Sequence, residues 1–158
     1  MTEEMMVQLQ TLLDKHAIED QIKHYADLID SKQFDKMTEV LMEDAWIDYS
    51  ASGGAKGSVS DMQAYLTQSM ARFRSQHLMT NIETTIAPDR KTAHSDHILF
   101  NPMTMDWKGQ EYTFFCGVRY HCDWVLCPDG VWHSFHGSKP RLHIQRTVQS
   151  HLTKHKNT

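Results

Sequence analysis

The chain changes its hydrophobic period once, near His77, and that switch restricts the fold more than any other feature of the sequence. Ahead of it, Leu12, Leu13, Ala17, Ile18, Ile22, Tyr25, Ala26 and Ile29 recur at steps of three to five, the repeat of one helical face. The stretch from Thr2 to Asp30 contains no Pro or Gly and is expected to form one helix. Phe34, Met37, Val40 and Leu41 carry the pattern into a second, short helix. Ser60-Asp61-Met62-Gln63 has the form of a capping box and predicts a third helix running to about Arg74. Between them, Ala45 to Tyr49 reads as a strand from its β-branched and aromatic content. Past the switch, strands are expected near His77–Ile86, Lys91–Asn101, Glu111–Val125 and Val131–Ser138. Pro88-Asp89, Lys108-Gly109 and Pro128-Asp129-Gly130 supply the turns between them. Helices followed by a run of long strands give an α+β domain, with three helices packed on one face of an antiparallel sheet.

The 158 residues suffice for one domain, expected over 1–146, with a polar tail at 147–158 that frays or enters subunit contacts. Sixteen Lys+Arg stand against 20 Asp+Glu, so the basic surplus of a nucleic-acid-binding domain is missing and no nucleic-acid partner is expected. No run of 18 apolar residues is present, which removes a membrane-spanning helix and a membrane partner. The acidic start, MTEEMMVQLQ, is wrong for a secretory signal, and three cysteines are an odd number, so a reducing, cytoplasmic setting is expected. Eleven His allow acid–base or metal chemistry, and ten Met suit an adaptable apolar pocket.

Several residues carry a bland and a chemical reading side by side. Asp30 ends the first helix, where a carboxylate meets the negative end of the helix dipole. Asp30-x-x-Gln33 could cap the second helix, or Asp30 could turn inward and orient a histidine. His77 opens the first long strand, as a surface residue or as a general base whose ordinary pKa of about 6.5 suits proton abstraction. Tyr49 closes its strand as a half-buried aromatic or as a hydrogen-bond donor to a substrate carbonyl. Asn101 precedes Pro102 and fits simple turn chemistry. His94 and His97, like His133 and His136, would point to opposite faces of a strand and could not chelate together, so no metal is expected. Cys122 and Cys127 lack the spacing of a structural zinc site, and no GxSxG nucleophile motif occurs.

The order of these residues resembles the SnoaL-like branch of the NTF2-like superfamily, which includes scytalone dehydratase, bile acid 7α-dehydratases and lindane dehydrochlorinases. The resemblance covers roughly Ile18 to His143. Its anchors are Tyr25-Ala26-Asp27-Leu28-Ile29-Asp30 with the linker to Phe34-Asp35, then Ile47-Asp48-Tyr49, then Ser75-Gln76-His77. Asp129-Gly130-Val131-Trp132 and Ser138-Lys139-Pro140 follow. The resemblance implies a cone, a curved antiparallel sheet wrapped around helices with a deep pocket inside. It implies that Asp30 and His77 form an Asp–His dyad, that Tyr25 and Tyr49 are active-site tyrosines, and that no cofactor is needed. Ile29 stands where scytalone dehydratase has a second polarising tyrosine, and Asn101 where relatives have His or Asp.

The expected activity is a dehydratase-like elimination, or an isomerisation, on a cyclic or polyketide-like hydroxy-carbonyl compound. His77 takes the α proton, Asp30 holds the imidazole, and Tyr25 and Tyr49 polarise the carbonyl. Asn101 positions substrate, Phe34, Trp46, Met79 and Leu99 line the pocket, and strand parity adds Arg119 and His121 to the pocket face. A homodimer or homotrimer through the outer face of the sheet is expected, because His94, Asp96, Ile98 and Phe100 alternate there. The competing readings are a non-catalytic NTF2-like binding or association module and a structural protein like a dioxygenase β subunit. A dyad separates them, because neither needs one.

Overall fold

The computed structural model describes residues 1–50, 53–135, 145–146 and 153–155. Helix α1 spans Glu3–Asp30 and is capped by Thr2, whose hydroxyl accepts from the Met5 N–H at 3.2 Å. Its buried side begins at Asp14 and runs through Ile18, Ile22, Ala26 and Ile29, an i, i+4 stripe. Leu12 and Leu13, counted above as part of the core face, are exposed, because the buried side of the helix starts only at Asp14. A 3-10 turn, Phe34–Glu39, follows. Strands β1 (Trp46–Asp48) and β2 (Lys56–Ser58) pair as a small antiparallel ribbon.

Helix α2 is Val59–Ser69. The capping box is real but sits two residues earlier than the sequence reading put it. Ser58 is the N-cap, its Oγ accepts from the Asp61 N–H, and Asp61 Oδ2 accepts from the Ser58 N–H at 3.0 Å. The helix also stops earlier than Arg74. Phe73–Ser75 is strand β3, so the described residues form two α-helices and a 3-10 turn.

The main sheet is antiparallel. Strands β4 (Leu78–Ile86), β5 (Thr92–Trp107), β6 (Gln110–Leu126) and β7 (Trp132–Phe135) form its body. β3 and β4 lie one after the other along one side of β5, and β6 covers the other side. β7 pairs with β6, as do two short strands, β8 (Gln145–Arg146) and β9 (Thr153–His155). β9 falls inside the expected polar tail. The expected end of the last strand at Ser138 and the Ser138-Lys139-Pro140 anchor lie outside the described residues.

β5 and β6 pair without a register break from Thr92/Val125 to Trp107/Gln110. Lys108 and Gly109 join them with φ of 51° and 75°, the left-handed pair that a tight hairpin turn requires. β5 does not end at Asn101. The Pro102 carbonyl accepts from the Gln76 N–H at 3.2 Å, so the Pro102 nitrogen faces the break between β3 and β4 and costs no ladder bond. A bulge between Thr80 and Glu83, with Asn81 at φ 51°, bends the edge strand.

The concave face of the sheet closes on α1 and α2. Ile18, Met37, Ile47, Met62, Val118, Trp124 and Trp132 are the centre of the core. Trp124 donates its indole N–H to the Ser95 hydroxyl at 2.9 Å, so the largest core side chain has its polar atom satisfied.

Candidate active site

Asp30 is the last residue of α1, and His77 lies in the two-residue break between β3 and β4. The break frees the His77 backbone from the ladder and turns it toward the helix end. Three donors converge on the Asp30 carboxylate. His77 Nδ1 lies 2.5 Å from Oδ1, the Ser75 hydroxyl donates to Oδ1 at 2.7 Å, and the His77 backbone N–H donates to Oδ2 at 2.7 Å. Burial pushes the Asp30 carboxyl up, but the bonds from His77 and Ser75 outweigh it and hold the group below the ordinary carboxylate range. The capping reading of Asp30 fails: the 3-10 turn is preceded by Gln33 with no side-chain cap.

Asn101 sits on the other side of the imidazole. The Gln76 backbone N–H donates to Asn101 Oδ1 at 3.2 Å, which aims Nδ2 at His77 Nε2, 3.4 Å away. An amide nitrogen only donates, so Nε2 is the acceptor and the Nδ1 proton belongs to the Asp30 bond. Both contacts fit the same arrangement, with a proton on Nδ1 and a lone pair on Nε2. The His77 side chain is only 8% exposed.

His77 and Asn101 face a cavity of about 360 Å³ between the sheet and the helices. Its wall is largely apolar and aromatic, with Ile29, Leu99, Phe73 and Phe114 among the lining residues. Tyr25 and Tyr49 also line it, and their hydroxyls are hydrogen-bonded to one another. Gly54 packs its backbone on Tyr49 so closely that a Cβ would lie 2.8 Å from the Tyr49 Cβ, so this loop position must stay glycine. Burial pushes the phenols of Tyr25, Tyr49 and Tyr120 well up, so all three remain neutral donors. In the Tyr25–Tyr49 pair one proton is spent on the mutual bond. The other is not spent there and is suited to an oxygen on a bound molecule.

The structure therefore brings Asp30, His77, Tyr25, Tyr49, Asn101 and Leu99 to one place. Five other residues expected at the pocket need correction. Phe34 is buried in the core rather than at the cavity wall, and Met79 packs against the core without lining the cavity. Trp46 is exposed, because Ile47 and Tyr49 take the inward positions of that segment. Arg119 is absent from the wall, and so is His121, the fifth correction: β6 turns Val118 and Tyr120 inward and these two outward. The Lys108-Gly109 turn held the signal for this. A two-residue hairpin turn pairs His121 with Asp96 and Arg119 with Ile98, and directly paired residues share a face. With Asp96 and Ile98 outside, His121 and Arg119 had to be outside. The same register would have revealed Tyr120 as a cavity residue.

His97 was missed as well. It is 3% exposed, stacks on Tyr120 with ring centroids 5.0 Å apart, and its Nδ1 has no hydrogen-bond partner among the described residues. Burial pulls its pKa down to about 4. The unfolded chain binds a proton here below about pH 6.5, while the folded protein does not until about pH 4. Stability is therefore full above pH 6.5 and falls by about 3 kcal/mol as the pH drops through that window. Urea midpoints measured at pH 7 and pH 4.5 should show this loss, and His97→Phe should flatten it. An equal pH slope in the variant would contradict the assignment.

A SnoaL-like domain model matches residues 10–136. The chain belongs to the SnoaL-like domain family. An uncharacterised protein of Mycobacterium tuberculosis is 33% identical over 126 residues, which cover 79% of this chain and 84% of that protein. Among solved structures, a candidate scytalone dehydratase from Novosphingobium aromaticivorans superposes with a TM-score of 0.70 at 16% identity, over 94% of this chain and 91% of the other. A hexachlorocyclohexane dehydrochlorinase from Novosphingobium barchaimii gives 0.67 at 17%, over 96% of each chain. An NTF2-like superfamily protein from Salmonella enterica gives 0.67 at 13%, over 87% and 92%. The SnoaL-like chain thus has the NTF2-like fold, and no helix among its described residues is long and apolar enough to cross a membrane.

Proposed function

We propose that this protein is a cofactor-independent lyase that eliminates water from a cyclic or polyketide-like hydroxy-carbonyl compound. The observation that carries the reading is the His77 imidazole, held at Nδ1 by Asp30 and presenting a basic Nε2 to an apolar cavity. Nε2 removes the proton α to the carbonyl, and Asp30 stabilises the imidazolium that forms. The enolate oxygen takes its hydrogen bond from the tyrosine pair. The electron pair then expels the β-hydroxyl, and the proton now on Nε2 leaves with it as water. One histidine can serve both steps when the two groups depart from the same side, so Asn101 need not exchange a proton. When substrate enters, the Asn101 amide gives up Nε2 and donates to the substrate instead, which leaves the Nε2 lone pair for the α proton. The solved relatives named for dehydration and dehydrochlorination support elimination as the reaction class.

The test is a panel of cyclic β-hydroxyketones, followed by mass spectrometry for loss of one water and by NMR for α-proton exchange in D₂O. Exchange or elimination that disappears in His77→Ala is expected. Tight binding of panel members with neither reaction would favour the binding-module reading. The cytoplasmic setting belongs to the same proposal and rests on the odd number of cysteines.

A homodimer or homotrimer through the convex face is also proposed. Leu78, Phe100 and Phe115 are exposed there, and the two phenylalanine rings stack at 5.5 Å. Light scattering should give two or three times the chain mass, and Phe100→Glu should reduce it. A monomer at micromolar concentration would contradict the assembly.

A further inference from the structure

We propose that His94, Asp96 and His121 form a binding site for a divalent first-row metal ion, with zinc as the fitting ion. The site lies on the convex face of the sheet, opposite the cavity. His94 and Asp96 are two residues apart on β5 and share its outer face. His121 lies directly across from Asp96 on β6. One ligand atom from each of the three falls within 4.8 Å of the others. Two imidazoles and one carboxylate are a common zinc ligand set that leaves a position for water.

One of the three ligand spacings already matches what coordination needs, and the His121 ring must shift to supply the others. Ligand atoms about 2.0–2.2 Å from a tetrahedral zinc lie roughly 3.3 Å apart. His94 Nε2 and Asp96 Oδ1 are 3.4 Å apart. His121 Nδ1 is hydrogen-bonded to the same Asp96 oxygen. Metal binding would replace that bond, and the proton on Nδ1 would move to Nε2 or to solvent. The two imidazole rings are nearly parallel, at 18°, with centroids 6.5 Å apart.

A second observation separates this group from a chance polar cluster. Asp123 Oδ1 lies 2.9 Å from His94 Nδ1. A carboxylate on the far nitrogen of a histidine places the proton on Nδ1 and leaves Nε2, the atom nearest Asp96, as the ligand. All four side chains stand on the β5–β6 hairpin, whose register is unbroken, so the ligands are held by rigid elements. The sequence reading expected no metal because His94 and His97 cannot chelate together. That geometry stands, since His97 is buried on the concave face. The partner of His94 comes instead from the neighbouring strand, which parity within β5 could not reveal.

A second group, Cys127, Asp129 and His133, also brings one ligand atom from each residue within 4.8 Å of the others and provides an internal control. Its Asp129 Oδ1 already accepts the Val131 N–H in the turn.

The full chain, stripped with a chelator, should be titrated with zinc chloride by calorimetry and with cobalt(II) by absorption spectroscopy. One equivalent should bind, with a dissociation constant on the order of micromolar or tighter. His94→Ala and Asp96→Asn should each weaken binding at least about tenfold, and Asp123→Asn by about tenfold through His94. The His94 side chain is 48% exposed and Asp96→Asn keeps the shape, so both variants should fold. Excess zinc should raise the melting temperature by roughly 5 °C in the wild type and not in Asp96→Asn. The cobalt spectrum should lack a thiolate charge-transfer band, and Cys127→Ser should bind as the wild type does. The absence of saturable binding would overturn the proposal. So would binding that survives both His94→Ala and Asp96→Asn, or a thiolate band that vanishes in Cys127→Ser.

Discussion

His77→Ala should lower turnover of the true substrate by about 10²–10⁴-fold, the range that a positioned general base supplies. The carboxylate beside it is a poor substitute, because Asp30 is held below the ordinary carboxylate range and is therefore a weak base. Asn101 does not accept a proton at neutral pH, and the three tyrosines are held neutral by burial. Asp30→Asn should cost a similar factor for a different reason. The Asp30 carboxylate accepts from three donors, and an amide in its place must turn its NH₂ against at least one of them. With the NH₂ in the Oδ1 place, the Nδ1 proton loses its acceptor or the imidazole changes tautomer. With it in the Oδ2 place, it opposes the His77 backbone N–H and displaces the segment that carries the imidazole. In both cases the charge that stabilises the imidazolium is gone. Ser75→Ala should have a much smaller effect, because two donors remain. The Asp30 carboxyl sits below its ordinary value of 3.8, so its share of stability is present above that pH and is lost as the pH falls through the lowered value. Near wild-type turnover in either His77→Ala or Asp30→Asn would remove the mechanism.

Trp124→Ala should destabilise the fold by about 3–5 kcal/mol, the usual cost of truncating a large aromatic in a core. Trp124 is 1% exposed, stands on β6 and belongs to the buried core. Its loss leaves a void that rigid neighbours cannot fill, and it also strips the indole donor from the fully buried Ser95 hydroxyl. Trp124→Phe separates the two terms. It keeps most of the apolar contact and should cost only about 1–2 kcal/mol, chiefly for the lost indole bond, since the Ser95 hydroxyl keeps its bond to Cys122. Urea unfolding of both variants measures the difference. A loss under about 1 kcal/mol in Trp124→Ala would mean that the β6 core is far more adaptable than its packing suggests.

The α+β order of this chain was legible because both of its signals are local. A helix shows its period within a few turns, and Lys108-Gly109 or Pro128-Asp129-Gly130 announces a turn within three residues. Local errors had local causes. Leu12 and Leu13 fit a helical stripe, but whether a stripe is covered depends on where the sheet ends. The capping box slipped from Ser58 to Ser60 because Ser, Ser, Asp and Gln within six residues allow both frames. Pro102 read as a strand end because its missing N–H is costly inside a sheet. The cost vanishes only at the break between β3 and β4, a property of the neighbouring chain.

The candidate site divides in the same way. Tyr25, Asp30, Tyr49, His77 and Asn101 could be picked out by residue type, by position at element ends and by the resemblance they carry together. The local surroundings of Asp30, Tyr49, His77 and Asn101 favoured the bland reading of each. Asp30 and His77 are distant in sequence, and only the curvature of the sheet over α1 sets the end of the helix against the break in the edge strand. The inward face of β6 likewise depended on a register that one strand alone does not contain. Sequence by itself determined which elements form and which residue types are available for proton transfer. The tertiary structure decided which of them meet, because a side chain's face, burial and hydrogen-bond partners are set by the elements packed around it.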